Sequence, residues 1–141
     1  MERAKLIDSL LTFFPVMHKK MVRNWPPCEL SKLQFDLLFK IFKENGKPMS
    51  YYSDKMMIPK SNLTVLSDKL IEEGFIERLP DPDDRRVIIL KLTKKGEAYL
   101  IEHREKIRAE MQKMLNELDD EDVIKLNELI EEMKKILIKM I

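Results

Sequence analysis

The chain has 141 residues and a net charge of only +1, with 44% hydrophobic and 36% charged residues, a mixture typical of one soluble globular domain. The single cysteine excludes an intramolecular disulfide, and no apolar run approaches the roughly 18 residues of a membrane span. The first residues do not read as a signal peptide, so we expect a cytoplasmic protein without membrane contact.

The first predicted element is an amphipathic helix near the N-terminus. Its apolar residues recur every three or four positions: Leu6, Leu10, Phe13, Met17 and Met21. Pro15 should kink or interrupt this helix near Phe14. The residues 24–27, Asn-Trp-Pro-Pro, then break the chain.

A second helix is predicted from Ser31, a candidate N-cap whose capping box is completed by Gln34. We expect its buried face to consist of Leu33, Leu37, Leu38, Ile41 and Phe42. Asn45-Gly46 is a typical helix stop.

Two further helices precede a hairpin. A short third helix covers YYSDKMM and ends before Pro59, and a fourth begins at Lys60 and ends at Gly74. The expected core face of the fourth helix is Leu63, Leu66, Leu70 and Ile71. The β-prone runs FIERLP and RVIILKL, joined by a loop from Pro80 to Arg85, predict a β-hairpin.

The C-terminal third predicts two more helices. Thr93 is a candidate N-cap for the first, and Asp119-Asp120-Glu121 places negative charge at the start of the second. Their apolar stripes are Leu100, Ile107, Met111, Met114, Leu115 and Leu118, then Leu126, Leu129, Ile130, Met133, Leu137 and Met140. Residues 117–141 carry 4 Lys or Arg against 8 Asp or Glu, so a surface that binds a polyanion should lie elsewhere.

Three helices followed by a two-stranded hairpin predict a mainly α, winged helix-turn-helix fold. In that design the helix before the hairpin enters the DNA major groove, and the hairpin lies beside it. The exposed face of the fourth helix carries short polar side chains and cations suited to bases and phosphates. They are Lys60, Ser61, Asn62 and Thr64, with Asp68 or Lys69 further along.

The hairpin tip carries three aspartates next to Arg85 and Arg86. One interpretation is a solvated charged turn. The other is a finger for the narrow, negative minor groove of A·T-rich DNA, with Asp84 holding an arginine in place. Asp81 and Asp83 fit a tight turn with the neighbouring prolines.

Several motifs together resemble the MarR family of multiple antibiotic resistance regulators. They are D84-x-R86 followed by L92-T93, the preceding G74-F-I-E-R78, and L30-S-K-L-Q-F-D-L-L38. The resemblance implies a homodimeric, DNA-binding transcriptional regulator. Residues 1–24 and 94–141 would form the dimerisation helices and residues 30–93 the winged helix. It assigns major-groove contacts to Lys60, Ser61, Asn62 and Thr64, a minor-groove contact to Arg85 or Arg86, and the brace to Asp84.

The sequence departs from the family pattern at four positions. Met57 stands where the family usually has glycine, Pro59 where serine is common, and Ser53 where an interior alanine is usual. Val65 replaces a common arginine on the recognition helix, so one base or phosphate contact is expected to be missing.

A homodimer is also expected on physical grounds. The terminal helices carry more apolar surface than a small domain can cover, and a monomer would leave it exposed. A two-fold dimer would place two recognition helices roughly 34–36 Å apart, one turn of DNA, on a pseudo-palindromic, A·T-rich site. We expect a ligand-responsive repressor.

The resemblance also implies a site for a small apolar or phenolic effector between the dimer helices and the DNA-binding lobe. The candidate lining residues are Met17, His18, Trp25, Tyr51 and Tyr52. The alternative interpretation of the apolar stripes is simple core or interface packing.

Three other functions are weighed against this one. Some members of the family sense peroxide through a single cysteine, but Cys28 has no neighbouring cation in the sequence, and Glu29 disfavours a thiolate. The winged helix could instead be a protein-interaction module. His18, His103 and Cys28 lack metal-ligand spacing, and no catalytic or cofactor-binding pattern is present, so we expect neither an enzyme nor a cofactor or metal site.

Overall fold

The computed structural model describes residues 1–140 and contains six α-helices and one hairpin in that range. In chain order the elements are α1 (Glu2–Val22), α2 (Lys32–Lys43), α3 (Met49–Met56), α4 (Lys60–Glu72), β1 (Ile76–Pro80), β2 (Ile88–Leu92), α5 (Lys94–Leu115) and α6 (Asp120–Leu137), followed by a short 3₁₀ turn, Ile138–Met140. This confirms the predicted mainly helical, winged helix-turn-helix fold with additional terminal helices.

The chain divides into two compact units. Pro27–Glu105 form the winged unit, which contains α2 to β2 and the first turns of α5. Met1–Pro26 and the residues from Lys106 onward form the helical unit.

The start of α2 follows the predicted capping box. The Ser31 hydroxyl accepts a hydrogen bond from the Gln34 backbone N–H at 3.2 Å, and the Gln34 side chain accepts from the Ser31 N–H at 2.9 Å. Two residues of the predicted buried face are exposed, which corrects that prediction: Leu33 lies in the first turn, and Phe42 stacks on exposed Phe39 instead.

The core of the winged unit draws on every element of that unit. Its buried apolar residues are Leu30, Leu37, Leu38, Ile41, Tyr52, Leu63, Leu70, Phe75, Ile76, Leu90 and Leu100. Burial of this size is the main favourable term in fixing α4 against α2 and the hairpin.

The α3–α4 turn places Met57 in the left-handed region, with φ of 53°, and leaves its side chain 90% exposed. Glycine, the residue that the resemblance implies here, adopts this conformation without steric cost, whereas methionine does not. Ser53, where the resemblance implies an alanine, is buried, and its hydroxyl donates a hydrogen bond to the Ser50 carbonyl at 3.0 Å.

The hairpin pairs β1 with β2 in antiparallel register, from Ile76 opposite Leu92 to Pro80 opposite Ile88. A short segment before α3 pairs with the other edge of β2. Gly46 N–H donates to the Leu90 carbonyl, and Leu90 N–H donates to the Lys47 carbonyl, each at 3.0 Å. The Asn45 side chain accepts from the Leu92 N–H at 2.9 Å, so the predicted helix stop also anchors the hairpin.

The hairpin leads into α5 through a tight contact. Thr93 caps the helix as predicted: its hydroxyl accepts from the Gly96 N–H at 3.1 Å and donates to the Gly74 carbonyl at 2.6 Å. A Cβ on Gly96 would overlap the Phe75 carbonyl and lie 2.9 Å from a Leu92 methyl. Only glycine therefore lets α5 approach the first residues of the hairpin this closely.

In the helical unit, α1 is continuous through Pro15, so of the two predicted outcomes, a kink or an interruption, the interruption is wrong. The proline removes one helical hydrogen bond, but α1 is exposed and water can reach the carbonyl that loses its partner. Asp119 caps α6 by accepting from the Asp122 N–H at 2.9 Å. No helix among residues 1–140 is long and apolar enough to cross a membrane.

Candidate nucleic-acid interface

Helix α4, the predicted recognition helix, is amphipathic, and its polar face is exposed. Leu63, Ser67 and Leu70 are buried against the rest of the winged unit. The opposite face exposes Lys60, Ser61, Asn62, Thr64, Val65, Asp68 and Lys69. Within the described part of the chain, the side chains of Lys60, Ser61 and Asn62 have no hydrogen-bond or ion-pair partner, so their polar groups are available.

Two of the predicted contact residues on α4 are partly engaged within the protein. The Thr64 hydroxyl donates to the Lys60 carbonyl at 3.0 Å, which leaves its lone pairs and methyl group outward. The Lys69 ammonium lies 3.0 Å from the Glu73 carboxylate, and this hydrogen bond raises the pKa of Lys69. Lys69 therefore stays charged but is shared with Glu73.

An ion pair between α4 and the hairpin neutralises the acidic residue of the exposed face. Arg78, on β1, donates to the Asp68 carboxylate at 2.8 Å, and the same nitrogen lies 3.5 Å from the Ser67 hydroxyl. The sequence predicts Asp68 on the exposed face but gives no indication that Arg78 is its partner. The G-F-I-E-R motif contains that arginine, although nothing in the motif points to a residue ten positions earlier.

The hairpin tip is a hydrogen-bonded turn built on Asp81. Its carboxylate accepts from the backbone N–H of Asp83 at 2.8 Å and of Asp84 at 3.2 Å. The turn closes through Asp81 N–H to the Val87 carbonyl at 2.8 Å and Val87 N–H to the Asp84 carbonyl at 3.0 Å. This aspartate therefore has a structural role in shaping the loop.

Asp84 holds Arg86 through three hydrogen bonds. One carboxylate oxygen accepts from the Arg86 backbone N–H at 3.0 Å and from Nε at 3.2 Å, while the other lies 3.3 Å from Nη2. These bonds hold the pKa of Asp84 below its ordinary value of 3.8. The Arg86 side chain is nevertheless 90% exposed, so Asp84 orients the guanidinium without covering it.

The recognition helix and the hairpin face one groove of about 310 Å³. Lys60 and Thr64 line it from α4, Arg86 and Val87 from the hairpin, and Pro48–Ser50 from the start of α3. The structure thus brings together residues that the sequence analysis assigned separately to the major and minor grooves. Arg85 is exposed beside them and has no ion pair in the described region.

The residues proposed for an effector site lie in different units and different environments. Met17, His18 and Trp25 belong to the helical unit, and Tyr51 and Tyr52 to α3 of the winged unit. Tyr52 is fully buried, donating to the Glu44 carbonyl at 2.5 Å and accepting from Lys47 N–H at 3.1 Å, so its side chain serves the core.

Tyr51 is half-buried and donates to the Glu44 carboxylate, a bond that raises the pKa of the phenol. The ammonium groups of Lys47 and Lys55 lie 5.7 Å and 5.6 Å from its ring centroid. The ring is therefore already held between cations, and the effector site stays a prediction.

Cys28 is exposed, and its sulfur lies 3.2 Å from the Tyr99 hydroxyl. Burial raises the pKa of Tyr99, and the bond to Cys28 adds to this. The two residues are 71 positions apart, so no local sequence signal indicates their contact. A redox role for the thiol stays a prediction.

Comparisons with known proteins agree with this geometry. The MarR family model matches residues 30–88. The chain is 27% identical over 96 residues to YhbI, an HTH-type transcriptional regulator of Bacillus subtilis, covering 68% of this chain and 62% of YhbI. It is 26% identical over 116 residues to MdtR, an HTH-type transcriptional repressor of the same organism, covering 82% of this chain and 75% of MdtR. The chain thus spans less than two thirds of YhbI.

The solved structure of transcriptional regulator Tm0710 from Thermotoga maritima is similar over nearly the whole chain. The TM-score is 0.72 at 27% identity, and the alignment covers 98% of this chain and 95% of Tm0710. The family match covers α2 to the start of β2, the segment that contains the recognition helix and both wing arginines. Residues 30–88 therefore match the MarR family model, and this segment of the chain is similar to the winged helix-turn-helix domain of that family.

Proposed function

We propose that this protein is a sequence-specific, double-stranded-DNA-binding transcriptional regulator. The observation that carries the proposal is the shared groove, where the first turn of α4 and the braced Arg86 face the same side of the winged unit. A recognition helix in the major groove with a hairpin beside it requires this juxtaposition. The relatives YhbI and MdtR are transcriptional regulators of the HTH type, which supports the same function.

The exposed side chains divide between base and phosphate contacts. Asn62 offers the paired donor and acceptor that match an adenine edge, and Ser61 and Thr64 suit bases or phosphates. Lys60 and Lys69 supply cations for the backbone. Arg85 and Arg86 are proposed to reach the minor groove, with A·T-rich DNA favoured because its minor groove is narrow and strongly negative.

We propose a homodimer assembled through α1, α5 and α6. On α6, the stripe Leu126, Leu129, Ile130, Met133 and Leu137 is 41–47% exposed, and α1 and α6 contain no buried residue. So much exposed apolar surface at helical spacing supports association with a second copy. A two-fold dimer would read a pseudo-palindromic operator.

Repression relieved by a small apolar or phenolic effector is the regulatory mode we propose. The relative MdtR is a transcriptional repressor, which supports the proposed repression. An effector would weaken DNA binding only through higher affinity for a dimer with a different spacing of recognition helices.

A titration onto a duplex from the protein's own upstream region, with a scrambled duplex beside it, tests the proposal. The informative variant is Arg85→Ala/Arg86→Ala, and the matched control is Lys32→Ala/Lys43→Ala, which removes two exposed cations from α2, outside the proposed dimer interface. We expect the wild type and the control to prefer the specific duplex and the wing variant to lose much of that preference. The logarithm of the affinity should fall linearly with the logarithm of salt concentration.

The competing function is a winged-helix protein-interaction module. Equal, weak binding of both duplexes without a salt slope would support it, after selection from random DNA has excluded an operator elsewhere. In that case Arg85 and Arg86 would belong to a solvated turn.

Redox control through Cys28 is a second candidate regulatory mode, supported by the exposed thiol and its contact with Tyr99. Peroxide treatment of wild type and Cys28→Ser before the titration tests it. Redox control requires that peroxide weakens DNA binding by the wild type only.

A further inference from the structure

The exposed face of α4 is centred on an aliphatic side chain. Val65 is 69% exposed and lies opposite the buried residues Leu63 and Leu70. Ser61 and Lys69 are one turn away on either side, and Asn62 and Asp68 complete the ring of neighbours. Every residue around Val65 on this face is polar or charged.

The stability of the fold does not explain why a valine occupies this position. An exposed aliphatic side chain contributes little to a core, and a β-branched residue is a poorer helix former than alanine or arginine. Nor does a polar neighbour depend on it, because Asp68 is paired with Arg78 and Lys69 with Glu73. The middle of the recognition face therefore presents two methyl groups to whatever binds there.

We propose, on the basis of the DNA-binding function above, that Val65 is a specificity-determining residue that contacts the C5-methyl group of a thymine. Thymine is the one standard base with a methyl group in the major groove, and an apolar side chain is the chemistry that recognises it. Valine has no hydrogen-bonding group, so it cannot read the donors and acceptors of the other bases.

The position of Val65 along α4 also indicates which base pair it would contact. Ser61 and Asn62 lie toward the N-terminal end of α4, where a recognition helix meets base edges. Val65, one turn further on, would reach a neighbouring base pair. We therefore place the thymine adjacent to the base read by Asn62.

The test compares thymine with deoxyuridine, which pairs identically but lacks the methyl group. Selection from random duplexes first gives the preferred site, and each preferred thymine is then replaced singly by deoxyuridine. We expect one position in each half-site where wild-type affinity falls about fourfold, the value of one apolar methyl contact. Val65→Ala should bind the thymine duplex about fourfold more weakly and show no further loss with deoxyuridine.

Two further variants test whether the deoxyuridine effect depends on an aliphatic side chain at position 65. Asn62→Ala should bind more weakly but keep the full deoxyuridine effect, because it leaves the methyl contact intact. Val65→Ile, which retains an aliphatic side chain, should keep the thymine preference. Thermal unfolding of Val65→Ala should occur at the same or a slightly higher temperature, since the side chain is exposed and alanine is the better helix former.

The outcomes distinguish this inference from the function on which it rests. Sequence-specific binding in which no deoxyuridine substitution matters, or in which it matters equally for wild type and Val65→Ala, overturns the role of Val65 and leaves the regulator intact. If selection enriches no sequence at all, the proposed function fails and the inference with it.

Discussion

Gly96 is the residue at which the packing of α5 against the hairpin tolerates no side chain. A methyl group there would overlap the Phe75 carbonyl, and the Phe75 backbone cannot move without disturbing the hairpin. We expect Gly96→Ala to lower the free energy of unfolding by about 3 kcal/mol or more. Urea denaturation followed by circular dichroism measures this.

Gly46→Ala is the matched control for Gly96→Ala. Its Cβ would meet nothing closer than the Lys91 side chain at 4.0 Å, but its φ is +77°. Only the left-handed backbone is then penalised, by about 1 kcal/mol. Equal losses in the two variants would contradict a steric role for Gly96.

Met57 is strained because its backbone lies in the left-handed region, although no neighbouring residue crowds its side chain. Its φ is 53°, and its side chain is 90% exposed. Met57→Gly removes the steric cost of the left-handed conformation but makes the unfolded chain more flexible. We expect a net gain of about 0.5–1 kcal/mol in stability, measured by thermal unfolding. A loss of stability would show that the side chain contributes contacts that outweigh the strain.

The Asp84–Arg86 brace has a defined pH dependence. Because Arg86 lowers the pKa of Asp84, the brace is intact above the ordinary value of 3.8 and is lost only as the pH falls through the lower folded value. We expect Asp84→Asn to weaken DNA binding roughly threefold.

Fluorescence anisotropy from pH 5 to 8 checks both parts of this prediction. The ratio of wild-type to Asp84→Asn affinity should stay constant, since Asp84 does not titrate in that range. A ratio that changes across this interval would assign the effect to another group.

At the scale of elements, Asp68 and Arg78 join the recognition helix to the hairpin. A double-mutant cycle with Asp68→Asn and Arg78→Met should give a coupling free energy below about 1 kcal/mol for stability, because the pair is largely exposed to solvent. DNA binding should be more sensitive than stability, since Arg78→Met leaves an unpaired carboxylate facing phosphates. DNA affinity unchanged in Arg78→Met would mean that the pair does not lie at the interface.

The elements that the sequence predicted well are those set by local signals. The capping box of Ser31 and Gln34, the stop at Asn45-Gly46 and the Thr93 cap depend on residues within a few positions of one another. The buried face of α2 was less well predicted because helical spacing does not indicate how far the core extends. Leu33 and Phe42 have the right helical spacing, but both side chains lie outside the core.

The contacts of the candidate site also divide into those set by local sequence signals and those set by tertiary packing. The wing turn and the contact of Asp84 with an arginine are local, and the sequence predicted both, although it did not indicate that Arg86, rather than Arg85, is the partner. The Asp68–Arg78 pair, the contact of Cys28 with Tyr99 and the burial of Tyr52 depend on tertiary packing. No spacing rule within one element could have indicated these contacts.

For the whole molecule, the stripe on α6 predicts the state of association. Leu129→Glu/Met133→Glu places two charges on the proposed interface, and we expect the dimer to dissociate to a monomer in analytical ultracentrifugation. Asn127→Glu/Lys135→Glu, off the stripe on the same helix, is the control and should remain a dimer. Dimers persisting in the first variant would place the interface elsewhere.

The pairing of residues 45–48 with β2 also bears on aggregation. That segment occupies one edge of β2, and β1 occupies the other, so the outer edge of β1 is the open edge of the hairpin. Strand β1 is short, carries Glu77 and Arg78, and ends in Pro80, features that discourage the addition of a foreign strand. The wing can therefore project into solvent without offering a template for fibril growth.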